Sequence, residues 1–335
     1  MTLLPAASVI VPTHNRPGAI GDTLRHLVDS AHLSAAEIVV VDDGGSPPLS
    51  LETSERVRVV RTPGLERSRA RNLGAQAARS PLVIFVDDDI TVHADFVANH
   101  LRASREFGDV LSVGRISLTP EIRESRVGRF RSLIEEPSQE RARGIVADEN
   151  FATAANMSMR RESFLTLGGF DPAILSGEDQ DLAMRWSARG GRIVFLPEAE
   201  VLHRDAIDSI SAYARRHEWG AFAMAPLLRR YAHRPENLVR LDRGRPLGEA
   251  RSIREALRLS TRHALSTRPS LGALARGISV LESLRVGDRA LFPLYRILLG
   301  LHLFRGFQRG LCATQRAPPI PGPLANESVA VVARD

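Results

Sequence analysis

The chain has 335 residues, 43% of them hydrophobic, which is enough to fill a large globular core with a second, smaller element and excludes a tail or linker. Its single cysteine, Cys312, excludes an internal disulfide and any multi-cysteine zinc site, and fits a reducing, cytoplasmic compartment. There is no lysine, so all 45 basic residues are arginines, and the net charge of +6 is unevenly spread: Arg204 to Arg316 holds 21 Arg against 9 Asp and Glu, leaving the rest of the chain acidic. Arginine without lysine follows GC-rich codon usage, and no nucleic-acid motif accompanies it, so nucleic acid is not an expected partner.

From the N-terminus, the apolar start to Val11 has no basic leader and no small-residue cleavage site, so no signal peptide is expected. Strands are predicted at Ser8 to Pro12, Glu37 to Asp42, Val57 to Arg61, Leu82 to Asp87 and Val110 to Ser117, all apolar runs without strict alternation, as in strands buried on both faces. Helical patterns at Gly18 to Ser30 and Glu66 to Ala78 separate them. The first 117 residues therefore predict an open, mostly parallel α/β sheet with flanking helices. Leu118 to Asp148 is polar and weakly periodic and predicts a connecting excursion with short helices. Phe151 to Met159 then predicts a strand, Glu178 to Gly190 a helix, and Arg192 to Leu196 a strand ended by Pro197. The domain boundaries expected are 1–203 for the sheet domain, divided near 117, then a basic, mainly helical extension over 204–316 and a Pro-rich disordered tail over 317–335.

Candidate chemistry sits at strand ends. Ile84-Phe85-Val86-Asp87-Asp88-Asp89 places three carboxylates at the edge where open α/β sheets bind ligands, and a hard divalent cation would relieve their repulsion; the same triplet also serves as a solvated turn capping the next helix. Asp42-Asp43 ends another strand before Gly44-Gly45, either a ligand-approaching turn or a simple strand stop. Arg67, Arg69 and Arg71 at a helix start suit an anion or a solvated basic face. Gly168-Gly169-Phe170-Asp171 is followed by Gly177-Glu178-Asp179, whose carboxylates are either dipole-stabilising caps or a general base. His203 closes a short strand and is a structural histidine or a third metal ligand.

The order Ser8-Val9-Ile10-Val11-Pro12-Thr13-His14-Asn15-Arg16, Val39-Val40-Val41-Asp42-Asp43-Gly44, Arg69-Ala70-Arg71-Asn72-Leu73-Gly74, Phe85-Val86-Asp87-Asp88-Asp89, Gly168-Gly169-Phe170-Asp171, Glu178-Asp179 and His203 resembles the family 2 glycosyltransferases of GT-A fold over about residues 8 to 203. The resemblance implies a nucleotide-sugar half to about 117 and an acceptor half from 118 to 203. It assigns Asp87 and Asp89 to the ribose and the metal-bound diphosphate, with Mn²⁺ or Mg²⁺ as cofactor and His203 completing the metal site. Asp43 and Arg71, with Pro12 and Thr13, would hold the nucleotide base; Asp88 is counted with the donor side, although the family pattern gives it no role. Asp179 would be the catalytic base, with Glu178, Asn156 and Arg160 on the sugar and acceptor side. The implied reaction is an inverting transfer from a UDP-, GDP- or dTDP-sugar to a hydroxyl of a saccharide or lipid-linked acceptor.

Three rivals are weighed. A sugar-phosphate nucleotidyltransferase resembles its relatives through a Gly-rich, lysine-containing N-terminal loop absent here, a Rossmann oxidoreductase lacks its G-x-G-x-x-G after the first strand, and a catalytically dead glycan-binding protein would not need Asp87, Asp89, Asp179 and His203 together. The apolar run Leu291 to Phe304 is too short to span a bilayer; within 290–311 it is expected either to lie shallowly against an anionic membrane, beside Arg285, Arg289, Arg296, Arg305 and Arg309, or to be a core helix.

Overall fold

The computed structural model describes residues 5–51, 53–136, 143–146, 148–234, 237, 245, 247–313 and 321–324. The predicted strands β1 (Ser8–Thr13), β2 (Glu37–Asp43), β3 (Val57–Thr62) and β4 (Leu82–Val86) run parallel in the order β3-β2-β1-β4. The sheet continues through β8 (Asn156–Arg160), β6 (Val110–Leu118), β9 (Arg192–His203) and β5 (Ile90–Val92), and β7 (Gly144–Val146) pairs with β9. β8 is antiparallel to β4 and β6, whereas β6 and β9 are parallel.

Successive side chains of a strand point to opposite faces, and both faces here are apolar. Val9, Val11, Ile38, Val40, Ile84 and Val86 pack under α1 (Pro17–Leu33) and α3 (Phe96–Phe107). Their neighbours Ile10, Val39, Val41, Val83 and Phe85 pack under α2 (Arg67–Ala77), α6 (Arg161–Thr166) and α7 (Glu178–Ser187). Phe85 meets Phe164 and Phe170 at centroid separations of 4.9 and 5.0 Å, the second edge-on.

Some expectations are corrected. Pro197 does not end a strand, because β9 runs to His203; the proline falls in an irregularity where the register jumps from Gly114↔Leu196 to Ile116↔Val201, so its missing N–H interrupts nothing. Phe151 to Met159 is not one strand but a 3₁₀ turn at Glu149–Phe151 followed by β8. Strands β5 and β7, three residues each, are too short to show a period, and α3 is hidden because its inner face buries the polar Asn99 and His100.

Two short helices, α4 (Pro120–Glu124) and α5 (Arg126–Glu135), occupy the predicted excursion. Beyond β9 come α8 (Ile210–Ala223), α9 (Ala225–Arg230), α10 (Ile253–Leu265), α11 (Arg268–Ser283) and α12 (Asp288–Ala313). Gly306 and Gly310 let α12 close on α8, since a Cβ would stand 2.2 Å from the Glu218 carbonyl and 2.4 Å from that of Phe222. Asp288 accepts from Arg126 and Arg129 of α5 at 3.0 and 2.8 Å, and Phe130 meets Tyr295 edge-on at 5.2 Å.

The apolar run considered for a membrane interface is thus part of a core helix. Leu291, Tyr295, Leu298, Leu299 and Phe304 are interior. The helix is also longer than the apolar run predicted: α12 has 26 residues and by length and composition alone could cross a bilayer, but 44% of its most apolar window is buried against protein. Of the predicted tail, 321–324 is described and held: the Leu324 N–H donates to the Leu165 carbonyl at 2.9 Å, and its side chain packs on the core beneath α6; the remainder lies outside the described residues.

Buried charge ties the helical region to the sheet. Asp181, fully buried on α7, accepts from Arg185 at 2.8 Å and from Arg230 of α9 at 2.6 Å, and Arg230 also reaches Asp171 at 2.5 Å. Asp181→Ala would leave both guanidiniums without their shared carboxylate in a dry site, a loss of about 3–5 kcal/mol. Urea unfolding is expected to show a midpoint lowered to match.

Candidate active site

Strand β4 ends at Val86 because its five apolar residues fill the core and the three carboxylates that follow must reach solvent or a countercharge. Asp88 and Asp89 form a turn into β5, pinned by α1: the Thr23 hydroxyl donates to the Asp88 carbonyl at 2.7 Å and accepts from the Ile90 N–H at 3.2 Å. In the antiparallel pair of β5 and β9, Ile90 stands opposite His203. That register brings His203 Nε2 to 2.9 Å from Asp89 Oδ1.

Each carboxylate has a distinct partner set. Asp87 Oδ1 accepts from Arg71 at 2.6 Å. Asp88 accepts from the Thr13 hydroxyl at 2.6 Å and from Arg16 at 2.7 Å. Arg16 also donates to Asp89 Oδ2 at 2.8 Å. Burial would raise Asp89, but the His203 hydrogen bond and the charges of His203 and Arg16 outweigh it and hold the carboxyl far below its usual range. Asp88 moves the other way, because burial and the adjacent carboxylates exceed what Thr13 and Arg16 return. For His203, burial favours the neutral ring, but Asp89 and then Asp87 win and raise it.

The ligating atoms of Asp87, Asp89 and His203 all lie within 4.8 Å of one another. Two carboxylates and one imidazole suit a divalent ion of the Mn²⁺ or Mg²⁺ type, with positions left for phosphate oxygens. These residues can hold the predicted metal.

A second carboxylate pair arrives from α7. Gly177, at φ +82°, makes the left-handed turn that starts this helix, where a side chain would also meet Leu227 at 2.8 Å. Glu178 accepts from Arg71 at 3.0 Å, so Arg71 bridges Asp87 and Glu178. Asp179 accepts from the backbone N–H groups of Ala154 at 3.1 Å and Gln180 at 2.8 Å. Burial and the neighbouring Glu178 charge push Asp179 up to about 7 against these hydrogen bonds and Arg71. Asn72 holds the adjoining loop, donating to the Phe170 carbonyl at 2.8 Å and accepting its N–H at 2.9 Å.

Two clefts meet here. One of about 660 Å³ is lined by Pro12, Thr13, Arg16, Asp43, Arg67 and the Asp87–Asp89 triplet. The other, about 410 Å³, is lined by Ser117, Asn150, Thr153 and Asp179. His203 lines both.

Asp43 is part of the lining of the larger cleft. It is nearly buried and holds its loop, accepting from the Thr62 hydroxyl at 2.5 Å and the Leu65 N–H at 2.6 Å. Arg71, expected against the nucleotide base, is 2% exposed and pairs with Asp87 and Glu178. Asn156, expected on the acceptor side, is fully buried: its amide donates to the carbonyls of Arg115 at 2.8 Å and Ala199 at 2.7 Å, bridging the β6–β9 irregularity. Arg160 pairs with Leu82 at the start of β4, so it lies at the opposite sheet edge from Asp87. Arg16 was not singled out from the sequence, although three adjacent carboxylates require a nearby cation and it directly follows the β1 edge.

Residues 8–168 match the profile of glycosyl transferase family 2. Among curated relatives, the pre-mycofactocin glycosyltransferase of Mycobacterium tuberculosis is 28% identical over 240 residues, 69% of this chain and 49% of that protein. The validoxylamine A glucosyltransferase of Streptomyces hygroscopicus subsp. jinggangensis is 25% identical over 226 residues, 56% of this chain and 52% of that one. The chain spans about half the length of these two relatives. Among solved structures, the mannosyltransferase PcManGT from Pyrobaculum calidifontis in complex with GDP-Man and Mn²⁺ superposes with a TM-score of 0.54 at 18% identity, covering 91% of this chain and 88% of that one, a likeness of fold. The segment 8–168 is that of glycosyl transferase family 2, and the mixed, mostly parallel sheet with a helical C-terminal region is of GT-A type.

Proposed function

We propose that this protein transfers a sugar from a nucleotide-diphosphate donor to a hydroxyl of a saccharide or lipid-linked acceptor, with inversion at the anomeric carbon. The observation that carries the reading is the junction of the two clefts: Asp87, Asp89 and His203 converge on one side, a carboxyl raised to about 7 stands on the other, and His203 lines both.

In this reading the larger cleft takes the donor, its nucleotide against Pro12, Thr13 and Asp43 and its diphosphate towards the Asp87–Asp89 edge. Asp87, Asp89 and His203 would hold a divalent cation, which when bound would supply positive charge to stabilise the diphosphate leaving group. The acceptor hydroxyl enters from the smaller cleft, and Asp179 takes its proton. The acceptor oxygen forms the new bond to the anomeric carbon as the bond to the diphosphate oxygen breaks, and that oxygen leaves with the electron pair. A single displacement of this kind inverts configuration and needs no second nucleophile. The two N–H groups from Ala154 and Gln180 orient the carboxylate, and burial keeps its proton affinity near neutrality, where a base is most effective. Attachment to an anionic membrane through 290–311 is not included, because five of its apolar side chains, Leu291, Tyr295, Leu298, Leu299 and Phe304, are interior.

Asp179→Asn is expected to lower transfer by about 10²- to 10⁴-fold while nucleotide binding, read by calorimetry, is nearly unchanged. Turnover close to that of the parent would remove Asp179 as the base. The pH profile follows from the direction of the shift: kcat/KM should rise with pH through about 7 as Asp179 loses its proton. Glu178→Gln removes a like charge while Arg71 stays, so the acidic limb should move to lower pH in that variant.

Nucleotide release from a panel of UDP-, GDP- and dTDP-sugars should vanish with chelator and return with Mn²⁺ or Mg²⁺. Asp89→Ala should weaken donor binding and abolish the metal response; full activity in excess chelator would overturn the metal assignment of all three residues.

A further inference from the structure

A third cleft, of about 530 Å³, lies away from the Asp-rich edge, between α8, α11 and α12. Each helix contributes one stripe at helical spacing. Arg215, Trp219 and Phe222 come from α8, Arg268, Leu271 and Ala275 from α11, and His302, Arg305 and Arg309 from α12. The floor is apolar: Leu271 is buried, and small Gly272 and Ala275 leave the space open, with nothing within 4 Å of a Cβ placed on Gly272. Trp219 stands at the wall with 53% of its surface exposed, a large apolar area to leave in water.

The charge in this cleft is unbalanced. Four guanidiniums, those of Arg215, Arg268, Arg305 and Arg309, face one carboxylate, Glu218. That carboxylate is already committed: Oε2 meets His302 Nδ1 at 2.6 Å, and Oε1 accepts from Arg305 at 3.0 Å and Arg309 at 3.3 Å. Arg215 and Arg268 have no ion-pair partner among the described residues. Like charges gathered in a partly enclosed cleft are relieved by an anion, and guanidinium forks match the oxygens of phosphate. The apolar floor and the flat Trp219 face add affinity for an uncharged body attached to it.

We propose that this cleft binds a phosphate ester or diphosphate carrying an apolar or aromatic group, at a site separate from the sugar-donor cleft. Such a group could come from a soluble phosphorylated compound or from a phospholipid headgroup. The chain has only two tryptophans, Trp186 and Trp219, so Trp186→Phe makes Trp219 the sole tryptophan reporter.

The test titrates that variant, at constant ionic strength, with pyrophosphate, with phenyl phosphate, and with phosphatidylcholine vesicles containing or lacking phosphatidylglycerol. Calorimetry on the unmodified chain repeats the measurement without the substitution. Saturable binding of at least one phosphate ligand is expected, weakened about tenfold or more in Arg215→Gln/Arg268→Gln, whose side chains are exposed and pair with no carboxylate, with nucleotide binding at the Asp-rich cleft unaltered. A response to the anionic vesicles alone identifies the lipid source, and a response to the soluble esters alone identifies the free one. Absence of saturable binding in every arm, or a double variant that titrates like its parent, overturns the proposal.

Discussion

Five carboxylates, Asp87, Asp88, Asp89, Glu178 and Asp179, gather at one edge of the sheet, and the arrangement around them is a solution to their mutual repulsion. Arg71, 2% exposed, bridges Asp87 and Glu178, Arg16 bridges Asp88 and Asp89, and His203 meets Asp89. Only Asp179 has no cation in direct contact; it is held by two backbone N–H groups, and its proton affinity is raised to near neutrality. Distributing countercharge in this way separates the groups by task. Asp89 stays ionised and suits a metal, while Asp179 can exchange a proton.

The same constraint explains why distant segments must meet. Arg71 lies on α2 and Glu178 on α7, and the reciprocal Asn72–Phe170 pair fastens these elements together beside the ion pairs. α7 is in turn anchored from its other side by Arg230, which connects Asp171 and Asp181 to the helical region. Displacing α9 would therefore disturb the start of α7, where Glu178 and Asp179 stand. The C-terminal helices act on the site through this buried network and also build a cleft of their own, with the opposite charge.

Much of this was legible in the sequence. The parallel strands, rich in Val, Ile and Leu, appear within one residue of the predicted bounds, because burial on both faces leaves a local signature. The ordered motifs indicated the family, and the carboxylates at the end of β4 stand at the expected sheet edge. Less legible were α3, whose buried Asn99 and His100 interrupt its apolar stripe, and the continuation of β9 past Pro197, which depends on an irregularity in its partner strand. Asn156 and Arg160 show the same limit: four residues apart on one strand, they fall at opposite ends of the β4–β8 ladder, and Asn156 serves two carbonyls in the interior.

The sequence by itself determined the strand pattern, the acidic strand ends and the motif order, since each is written in residues that are neighbours along the chain. Tertiary structure alone decided which cation neutralises which carboxylate, because those pairs join residues 16 to 114 positions apart, as in Arg71–Asp87 and Asp89–His203. It also decided that the apolar run of α12 faces protein: a helix hydrophobic on several sides carries no local mark of what will cover it, and here Gly306 and Gly310 let α8 approach closely enough to do so.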